Sequence, residues 1–411
     1  MNIWTDCKRV PLPSLLSFIV DNRGKTVPTA ENGHILIATN CIKNDHLYPV
    51  YEKVRFLSQE TYDTFFRAHP KPGDIIFVNK GTPGRCALVP DPVDFCIAQD
   101  MMAFRVDSSK VNNLYLLSVL RSYEIQRMIY SISVGDVIPH FKKQMLDKIL
   151  VPLPPLDIQN IIADVFSDLN IKIENNRRIC ENLEAQAQAL FKHWFVDFAP
   201  FKDGKFVESE LGLIPEGWRV GKAEDFYTIN IGKTPPRAER QWFSESKGNN
   251  NIWISISDMG SCGTFISDSK EYLTPEAQSK FNIVMVPVGT ILLSFKLTIG
   301  RVAIADNELT TNEAIARFIL PNSDYREFTY LYLKQYKYGS LGSTSSIATA
   351  VNSKIIKSMP FLMPSTEVMA EFSTVVSKLF DEIRILSIES LRLASLRDTL
   401  LPKLMSGQIK L

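Results

Sequence analysis

Residues 73–87 read GDIIFVNKGTPGRCA, and residues 289–303 read GTILLSFKLTIGRVA. Both stretches consist of an apolar run followed by Lys-x-Thr-x-Gly-Arg, and they lie 216 positions apart. Aligned without a gap, they share seven of their fifteen positions: Gly73/Gly289, Ile75/Ile291, Lys80/Lys296, Thr82/Thr298, Gly84/Gly300, Arg85/Arg301 and Ala87/Ala303. This repeat suggests that a whole domain occurs twice in the chain.

Further matches follow the same order on both sides of this stretch. The matched pairs are DNRGKTVP (21–28) with INIGKTPP (229–236), ILIATN (35–40) with WISISD (253–258), RFLSQETYDTFF (55–66) with EYLTPEAQSKFN (271–282), AQDMMAFRV (98–106) with TNEAIARFI (311–319), and LVPLPPL (150–156) with MPFLMP (359–364). A period of about 210 residues is far longer than a solenoid repeat and indicates a tandem duplication of domains.

Each half divides into a β-rich part and a helical part. The β-rich part consists of short β-branched and aromatic runs separated by Gly, Pro, Asn and Asp, which predicts an irregular α/β domain. The helical part follows a proline-rich stretch that prevents a helix from extending backwards. The predicted limits are a first domain at 1–150, a first long helix at 151–200, a second domain at 201–357 and a second long helix at 358–411.

Apolar residues recur at alternating spacings of four and three along both helical segments, as in a heptad repeat. Two such seams in equivalent positions predict that the helices pair, although an amphipathic helix packed on its own domain is the alternative. Asn176 interrupts the first seam and would then set its register. The residues predicted to pair the helices are Ile162, Phe166, Leu169, Ile173, Leu183, Leu190, Phe372, Val376, Leu379, Ile383, Leu393 and Leu400.

Chain connectivity predicts the direction of the helix pair. The first helix leads from the first domain to the second, so a second helix packed along it must run back toward the first domain. The expected fold class is therefore α+β. It consists of two similar α/β domains separated by an antiparallel pair of long coiled-coil helices, with pseudo-two-fold symmetry. About 40 helical residues would span roughly 60 Å.

Composition limits the class of protein. No stretch has the 18 or so apolar residues of a membrane span, and the N-terminus lacks the pattern of a secretion signal. The six cysteines form no CxxC pair, which fits reduced thiols in the cytoplasm. The net charge is only +1, whereas free-standing nucleic-acid binders are usually more basic. Any DNA contact must therefore be local or be assisted by a partner.

Catalytic and metal sites are not predicted. Gly24-Lys25-Thr26 and Gly232-Lys233-Thr234 invite a phosphate-loop interpretation, but the required earlier glycine is replaced by Ile19 and Tyr227. The five histidines are dispersed, and no adenine-methyltransferase Asn-Pro-Pro-aromatic stretch is present. These residues therefore give no indication of a catalytic or metal site.

The chain resembles the specificity subunit of type I restriction–modification enzymes over essentially its whole length. The stretches that carry the resemblance are VPLPPLDIQNIIADVFSDLNIKIENNRRI (151–179), LFKHWFVDFAPF (190–201), LGLIPEGWRV (211–220), WISISDMG (253–260), GTILLSFKLTIGRVAIA (289–305) and SLRDTLLPKLMSGQI (395–409). Each stretch alone is a weak signal, but as a set they are specific.

The resemblance implies that each domain is a target-recognition domain for one half of a bipartite site in double-stranded DNA. It also implies that the helices set the spacing and bind two methyltransferase subunits, which methylate adenine at N6. Motor–nuclease subunits complete the restriction complex. The resemblance implies that the chain itself is non-catalytic and binds no metal or other cofactor, while S-adenosylmethionine, ATP and Mg²⁺ would act in those partners. The alternatives are an assembly scaffold that reads no DNA, and a lone specificity chain that modulates another complex.

The candidate DNA-binding residues are polar positions that occur in both halves. Glycine near them allows the backbone to approach a ligand, and Arg can grip a guanine edge or a phosphate with two hydrogen bonds. A turn whose Arg is used internally is the competing interpretation. Residues shared by both halves would hold the DNA backbone, while unshared loops such as Asn44–Tyr48 or Lys247–Asn251 would read bases. The candidates are Lys25, Thr26, Lys80, Thr82, Arg85, Lys233, Thr234, Lys296, Thr298 and Arg301.

Overall fold

The structure, a computed structural model, describes residues 7–22, 26–135, 138–341 and 351–409. It divides into two compact units. The first comprises Met1–Asn176 with Glu389–Leu411, and the second comprises Arg177–Ile388. Both unit boundaries fall inside long helices, so each unit contains part of each helix.

Among its described residues, the first unit is built from nine strands, three complete α-helices and parts of the two long helices. Its elements are β1 Arg9–Pro11, β2 Leu16–Val20, β3 His34–Ile37, β4 Arg55–Leu57, α1 Gln59–Thr64, β5 Ile75–Val78, β6 Cys86–Leu88, β7 Phe95–Ile97, β8 Met101–Val106, α2 Asn113–Leu120, α3 Tyr123–Ile132, β9 Leu150–Pro152 and the start of α4 Leu156–Phe195. Short 3₁₀ helices occur at Leu12–Leu15, Thr39–Cys41 and Lys143–Lys148.

Strand β5 lies at the centre of this unit. The main sheet has the order β2-β8-β5-β6 and is antiparallel, and a second sheet has the order β4-β3-β7. Ile75 and Phe77 point into one apolar cluster, whereas Ile76 and Val78 point into the other. Because successive side chains of a strand point to opposite faces, the unbroken apolar run of β5 indicates burial on both sides.

The second unit repeats this architecture with some additional strands. Its elements are β10 Phe206–Ser209, β11 Gly212–Pro215, β12 Arg219–Lys222, α5 Ala223–Phe226, β13 Thr228–Ile231, β14 Phe243–Ser244, β15 Asn251–Ile254, α6 Ile256–Met259, β16 Phe265–Ile266, β17 Tyr272–Leu273, α7 Pro275–Lys280, β18 Ile291–Ser294, β19 Val302–Ala305, β20 Thr310–Thr311, β21 Ile315–Ile319, α8 Arg326–Gln335, α9 Ser353–Lys357, β22 Pro360–Met363 and most of α10 Thr366–Met405. Short 3₁₀ helices occur at Ala199–Phe201, Arg240–Trp242, Ser323–Tyr325 and Tyr338–Leu341.

The two units have matching sheet topologies. The order β13-β21-β18-β19 in the second unit corresponds to β2-β8-β5-β6 in the first, and β17-β15-β20 corresponds to β4-β3-β7. The parallel contact is also reproduced, between β3 and β7 and between β15 and β20. The pair β12/β22 corresponds to β1/β9. The duplication read in the sequence is therefore a duplication of the fold.

In the first unit, the start of α4 packs against the end of α10. Ile162 and Phe166 share an apolar cluster with Leu401 and Leu404. The C-terminal part of the chain thus contributes to the core of the unit that contains the N-terminal strands, as the connectivity argument predicted.

Polar contacts in this helix pair define its direction. Arg397 donates a 2.8 Å hydrogen bond from Nη1 to Oδ1 of Asn170, and Asn176 donates a 2.6 Å hydrogen bond from Nδ2 to Oε2 of Glu389. Residue numbers rise along α4 while those of the partners fall along α10, so the paired segments are antiparallel.

In the second unit, the end of α4 packs against the start of α10 and against the domain core. The ring of Phe195 lies 4.7 Å from that of Phe372 on α10 and 4.8 Å from that of Phe328 on α8, measured between centroids. Phe191 lies 5.6 Å from Phe328. Helix pairing and packing on a domain therefore occur together, and the two alternatives read from the seams do not exclude one another.

The predicted fold class is confirmed by the two similar α+β units and the paired long helices. Helix α4 begins directly after Pro154-Pro155, and α10 begins two residues after Pro364. The domain limits 1–150, 151–200, 201–357 and 358–411 and the pseudo-two-fold relation stay predictions.

Among the described residues, none of the helices combines the length and the apolar composition that a membrane span requires.

Candidate nucleic-acid interface

The repeated Lys-x-Thr-x-Gly-Arg stretch forms the same hairpin loop in both units. It connects β5 to β6 in the first unit and β18 to β19 in the second. Gly84 and Gly300 have φ angles of 92° and 88°, and each donates its N–H to the last residue of the preceding strand, at 2.9 and 3.0 Å. Because a left-handed backbone favours glycine, these residues determine the turn. Part of the repeat therefore encodes loop geometry.

In the first hairpin, the polar side chains are available to an external ligand. Lys80 is exposed, and Thr82 and Arg85 are half-buried. Among the described residues, the Arg85 guanidinium has no hydrogen-bond or ion-pair partner. An unpaired guanidinium beside an exposed ammonium suits a phosphate or a base edge.

Two further lysines lie beside this hairpin. Phe141 donates its N–H to the carbonyl oxygen of Asn79 at 2.7 Å, and the exposed Lys142 and Lys143 follow directly. Both lysines line a surface cleft of about 630 Å³ that also includes His140. The first unit thus presents several cations in one region, which the net charge of +1 did not reveal.

Lys142 and Lys143 are missing from the sequence prediction because that prediction relied on residues that both halves share. The positions 210 residues later are Asn352 and Ser353. In the sequence, the occurrence of two adjacent lysines was the feature that could have indicated them. Lys143 forms a 3.0 Å ion pair with Asp21, which holds this segment near β2.

In the second hairpin, the repeated arginine is used inside the unit. Arg301 donates a 2.7 Å hydrogen bond from Nη1 to the carbonyl oxygen of Ile256 and is half-buried. Lys296 and Thr298 are exposed. Arg85 and Arg301 therefore occupy equivalent backbone positions, but their guanidinium groups have different surroundings.

The second Gly-Lys-Thr stretch is tied into its own unit. Lys233 donates hydrogen bonds from Nζ to the carbonyl oxygens of Phe281 and Asn282, both at 3.2 Å. The hydroxyl of Thr234 donates to the carboxylate of Glu313. Both side chains are therefore hydrogen-bonded to other residues of the second unit.

The first Gly-Lys-Thr stretch is described only in part. Lys25 lies outside the described residues, and Thr26 is exposed.

One short segment connects the two repeated motifs of the second unit. Lys233 donates its backbone N–H to Thr311 O at 2.9 Å, and Phe295 donates its N–H to Ala314 O at 3.0 Å. The Gly-Lys-Thr stretch and the β18–β19 hairpin thus lie on the two sides of residues 311–315.

The two unshared loops differ in accessibility. Asn44 accepts a 2.9 Å hydrogen bond from the N–H of Cys86, and Leu47 is buried, so loop 44–48 is largely packed against β6. Lys247 is exposed and lies 3.6 Å from Asp268.

The predicted helix-pairing residues are all at least partly buried. Ile162, Phe166, Phe372, Val376 and Ile383 are buried, and Leu169, Ile173, Leu183, Leu190, Leu379, Leu393 and Leu400 are half-buried. Towards its end, α4 buries Phe191 and Phe195, which lie one and five positions beyond the seam residue Leu190. An α-helix drifts relative to a strict heptad, so the buried stripe moves around the helix.

Two buried cysteines of the first unit, Cys86 and Cys96, are held as thiols at neutral pH. Burial raises the pKa of Cys86 and of Cys96 to about 12, so both remain thiols. Within the described ranges, no group of three His, Cys, Asp or Glu residues could hold a metal ion.

Comparison with known families identifies one match over most of the chain. The family model "Type I restriction modification DNA specificity domain" matches residues 26–185 and again residues 215–390. The two matches fall on the two copies of the duplication.

Individual proteins agree with this match. The type I restriction enzyme HindI specificity subunit of Haemophilus influenzae is 26% identical over 405 residues, covering 82% of this chain and 87% of that protein. The MjaIX specificity subunit of Methanocaldococcus jannaschii is 26% identical, with 84% and 79% covered. A crystal structure of a type I restriction-modification system S subunit from M. genitalium has a TM-score of 0.52 at 15% identity, covering 97% of this chain and 96% of that one. The structural similarity concerns the fold.

Proposed function

Because the chain belongs to the family of type I restriction modification DNA specificity domains, we propose that it is the DNA-reading subunit of a type I restriction–modification complex. Each unit reads one half of a bipartite, asymmetric DNA site. The paired helices determine the spacing of the half-sites and bind the methyltransferase subunits. The complex then methylates adenine at N6 and, with motor–nuclease subunits, cleaves unmodified DNA in the cytoplasm.

The observation that carries this proposal is the repetition of one topology with different side chains on equivalent hairpins. Two copies of a fold suit a ligand that is itself a repeating double helix. Arg85 lacks a partner among the described residues, whereas Arg301 is bound to Ile256 O. Because the equivalent arginines of the two units differ in this way, the two units are suited to half-sites of different sequence.

The positive charge near the first hairpin supports a role in holding the DNA backbone. Lys80, Lys142 and Lys143 are exposed, and lysine side chains contact phosphates without reading sequence. Because the whole chain has a net charge of only +1, the methyltransferase subunits are expected to provide a share of the affinity.

Under this proposal the chain performs no chemistry itself and binds no cofactor. S-adenosylmethionine serves the methyltransferase subunits, and ATP and Mg²⁺ serve the motor–nuclease subunits. The competing functions are a scaffold that spaces two protein partners without reading DNA, and a lone specificity chain that modulates another complex.

Methylome sequencing of the host with and without this chain tests the proposal. We expect N6-methyladenine at one two-part motif, and we expect it to disappear when the chain is deleted. An unchanged methylome would reject a DNA-reading role and leave the scaffold as the better interpretation.

A variant that lacks two of these lysines, compared with a charge-matched control, refines this test. Lys80→Gln combined with Lys142→Gln should lower methylation at all copies of the motif without changing the motif, because phosphate contacts position the protein but do not read bases. A changed motif would show that these lysines read bases. The control, Lys202→Gln combined with Lys205→Gln, removes two exposed lysines of the second unit and therefore changes the net charge by the same amount.

A further inference from the structure

The tip of the β18–β19 hairpin carries an apolar side chain in an unusual conformation. Leu297 is 97% exposed and has a φ angle of 61°. A left-handed backbone is unfavourable for a residue with a branched side chain. Both the exposure and the conformation oppose a purely structural role for this leucine.

The first unit shows that the turn does not need leucine. The equivalent residue in the β5–β6 hairpin is Gly81, with a φ angle of 84°. Glycine adopts this conformation without steric cost. The second unit therefore retains a side chain at a position where the fold itself favours glycine, and strain of this kind concentrates at functional sites.

The base of this hairpin is held firmly. Ser294 Oγ accepts a 3.0 Å hydrogen bond from the N–H of Arg301 and donates a 2.6 Å hydrogen bond to Thr298 O. Arg301 in turn donates to the carbonyl oxygen of Ile256. Leu297 thus projects from a braced loop and not from a free chain end.

The hairpin tip itself carries apolar side chains and a lysine. Ile299 is 38% exposed, and Lys296 and Thr298 are exposed on the two sides of Leu297. Residues 295–305 contain no acidic residue, and Lys296 is their exposed cation, since Arg301 donates to Ile256 O. Apolar side chains beside a cation suit a ligand that is negatively charged outside and apolar inside. Duplex DNA is such a ligand, because its stacked bases lie between phosphates.

We infer that Leu297, supported by Ile299, is a wedge that enters a base step of the DNA bound by the second unit. This inference rests on the proposed DNA-reading function. Apolar side chains inserted between base pairs unstack one step and kink the duplex, while neighbouring cations hold the phosphates. Lys296 is placed for that second task.

The wedge also gives the second unit a way to select sequence without a base hydrogen bond. Pyrimidine–purine steps unstack more easily than other steps. A site with such a step at the position of Leu297 therefore binds more tightly. The glycine of the first hairpin cannot do this, so the two units would select their half-sites by different means.

The test uses the full chain assembled with its methyltransferase subunits and a duplex that carries the methylated motif. An adenine analogue that fluoresces when unstacked, 2-aminopurine, is placed in turn at each position of the second half-site. Apart from the target adenine, which a methyltransferase flips out of the stack in either case, we expect a rise in fluorescence at one step with the natural chain and none with Leu297→Gly. The preference for a pyrimidine–purine step there, about tenfold in the natural complex, should disappear in the variant.

Two comparisons separate folding from binding. Leu297→Gly adopts the turn of the first hairpin and should melt at the same temperature as the natural chain or a higher one. Lys296→Gln keeps the wedge, so it should weaken DNA binding while the fluorescence rise at saturation persists. If Leu297→Gly keeps the full rise, the inference is overturned.

Other outcomes also decide the question. If the natural complex binds its motif but unstacks no step of the second half-site, the wedge is wrong and the proposed function stands. If the complex binds no DNA, both fail. If Leu297→Gly weakens assembly with the methyltransferase in the absence of DNA, the tip contacts protein instead.

Discussion

Arg85 and Arg301 show how a duplicated residue can acquire two uses. Both follow a glycine with positive φ at the end of the same hairpin loop. Arg301 binds the carbonyl oxygen of Ile256, whereas Arg85 has no partner among the described residues. The two arginines are therefore a matched pair for separating stability from DNA binding.

Arg301→Ala should lower the free energy of unfolding by about 2 kcal/mol, because a hydrogen bond from a charged donor is lost. Arg85→Ala should leave stability almost unchanged but weaken DNA binding, and the slope of log affinity against log salt should fall by about 1 if Arg85 contacts a phosphate. Urea unfolding and salt-dependent binding measure the two effects. Equal losses of stability in both variants would contradict this assignment.

Burial of His69 favours the neutral form of its imidazole. Its ring stacks on Tyr62 at 4.2 Å, its Nε2 lies 3.1 Å from Tyr62 O, and its Nδ1 lies 3.7 Å from Sγ of Cys96. Burial lowers the pKa of His69, and the hydrogen bond to Tyr62 O opposes this only in part. The folded protein therefore disfavours the charged imidazole.

Stability should consequently fall on acidification. The unfolded chain binds the His69 proton more readily than the folded chain, so the contribution is present above about pH 6.5 and is lost as the pH falls toward the folded pKa. Melting temperatures between pH 5 and pH 7.5 measure this effect. The control His69→Phe keeps the ring but cannot titrate, and it should show a shallower dependence; an identical dependence would exclude His69 as the cause.

At the scale of elements, the paired helices contain a buried polar layer. Arg397 is only 8% exposed and Asn170 only 2%, and they are joined by a 2.8 Å hydrogen bond. A heptad pattern read along one helix does not identify the partner of a polar residue such as Arg397 on the other helix. Buried polar pairs of this kind commonly specify the register of a coiled coil at a cost in stability.

Asn170→Leu should lower the free energy of unfolding by about 2 kcal/mol, because it leaves the Arg397 guanidinium buried without this acceptor. The double variant Asn170→Leu with Arg397→Leu should recover most of the loss, since apolar residues replace both partners. A double-mutant cycle from denaturant unfolding measures the coupling. Additive effects would show that the two side chains act independently.

The helices also show where a sequence pattern loses precision. The alternation of four and three placed both helices in approximately the right region, and the prolines before them marked where they begin. It could not place Phe191 and Phe195, because their burial depends on Phe328 and Phe372, which lie far away in sequence. Packing against a domain core rotates the buried stripe away from the ideal seam.

At the scale of the whole molecule, the paired helices can set the half-site spacing only through segments that face each other. Asn170 contacts Arg397, and Asn176 contacts Glu389. Residues 169–175 therefore face residues 391–397, and removing both segments keeps the remaining contacts in register.

Deleting these facing heptads together shortens the helix pair by about 10 Å, which corresponds to roughly three base pairs of DNA. We expect the gap between the half-sites to change by about that amount while both half-sites stay the same, as read by methylome sequencing. Deleting residues 169–175 alone should instead disrupt the pairing and abolish methylation. Altered half-sites with an unchanged gap would contradict the proposal that the paired helices set the spacing.

The sequence by itself determined the duplication, the α+β class and the positions of the two long helices. It could do so because repeats, apolar periodicity and helix-stopping prolines are local patterns. Only the tertiary structure decided that Arg301 is bound within its unit, that Lys142 and Lys143 lie beside the first hairpin, and that Leu297 stands exposed at the tip of the second. These facts depend on contacts between residues that are distant along the chain, and a local pattern carries no information about which distant atoms meet.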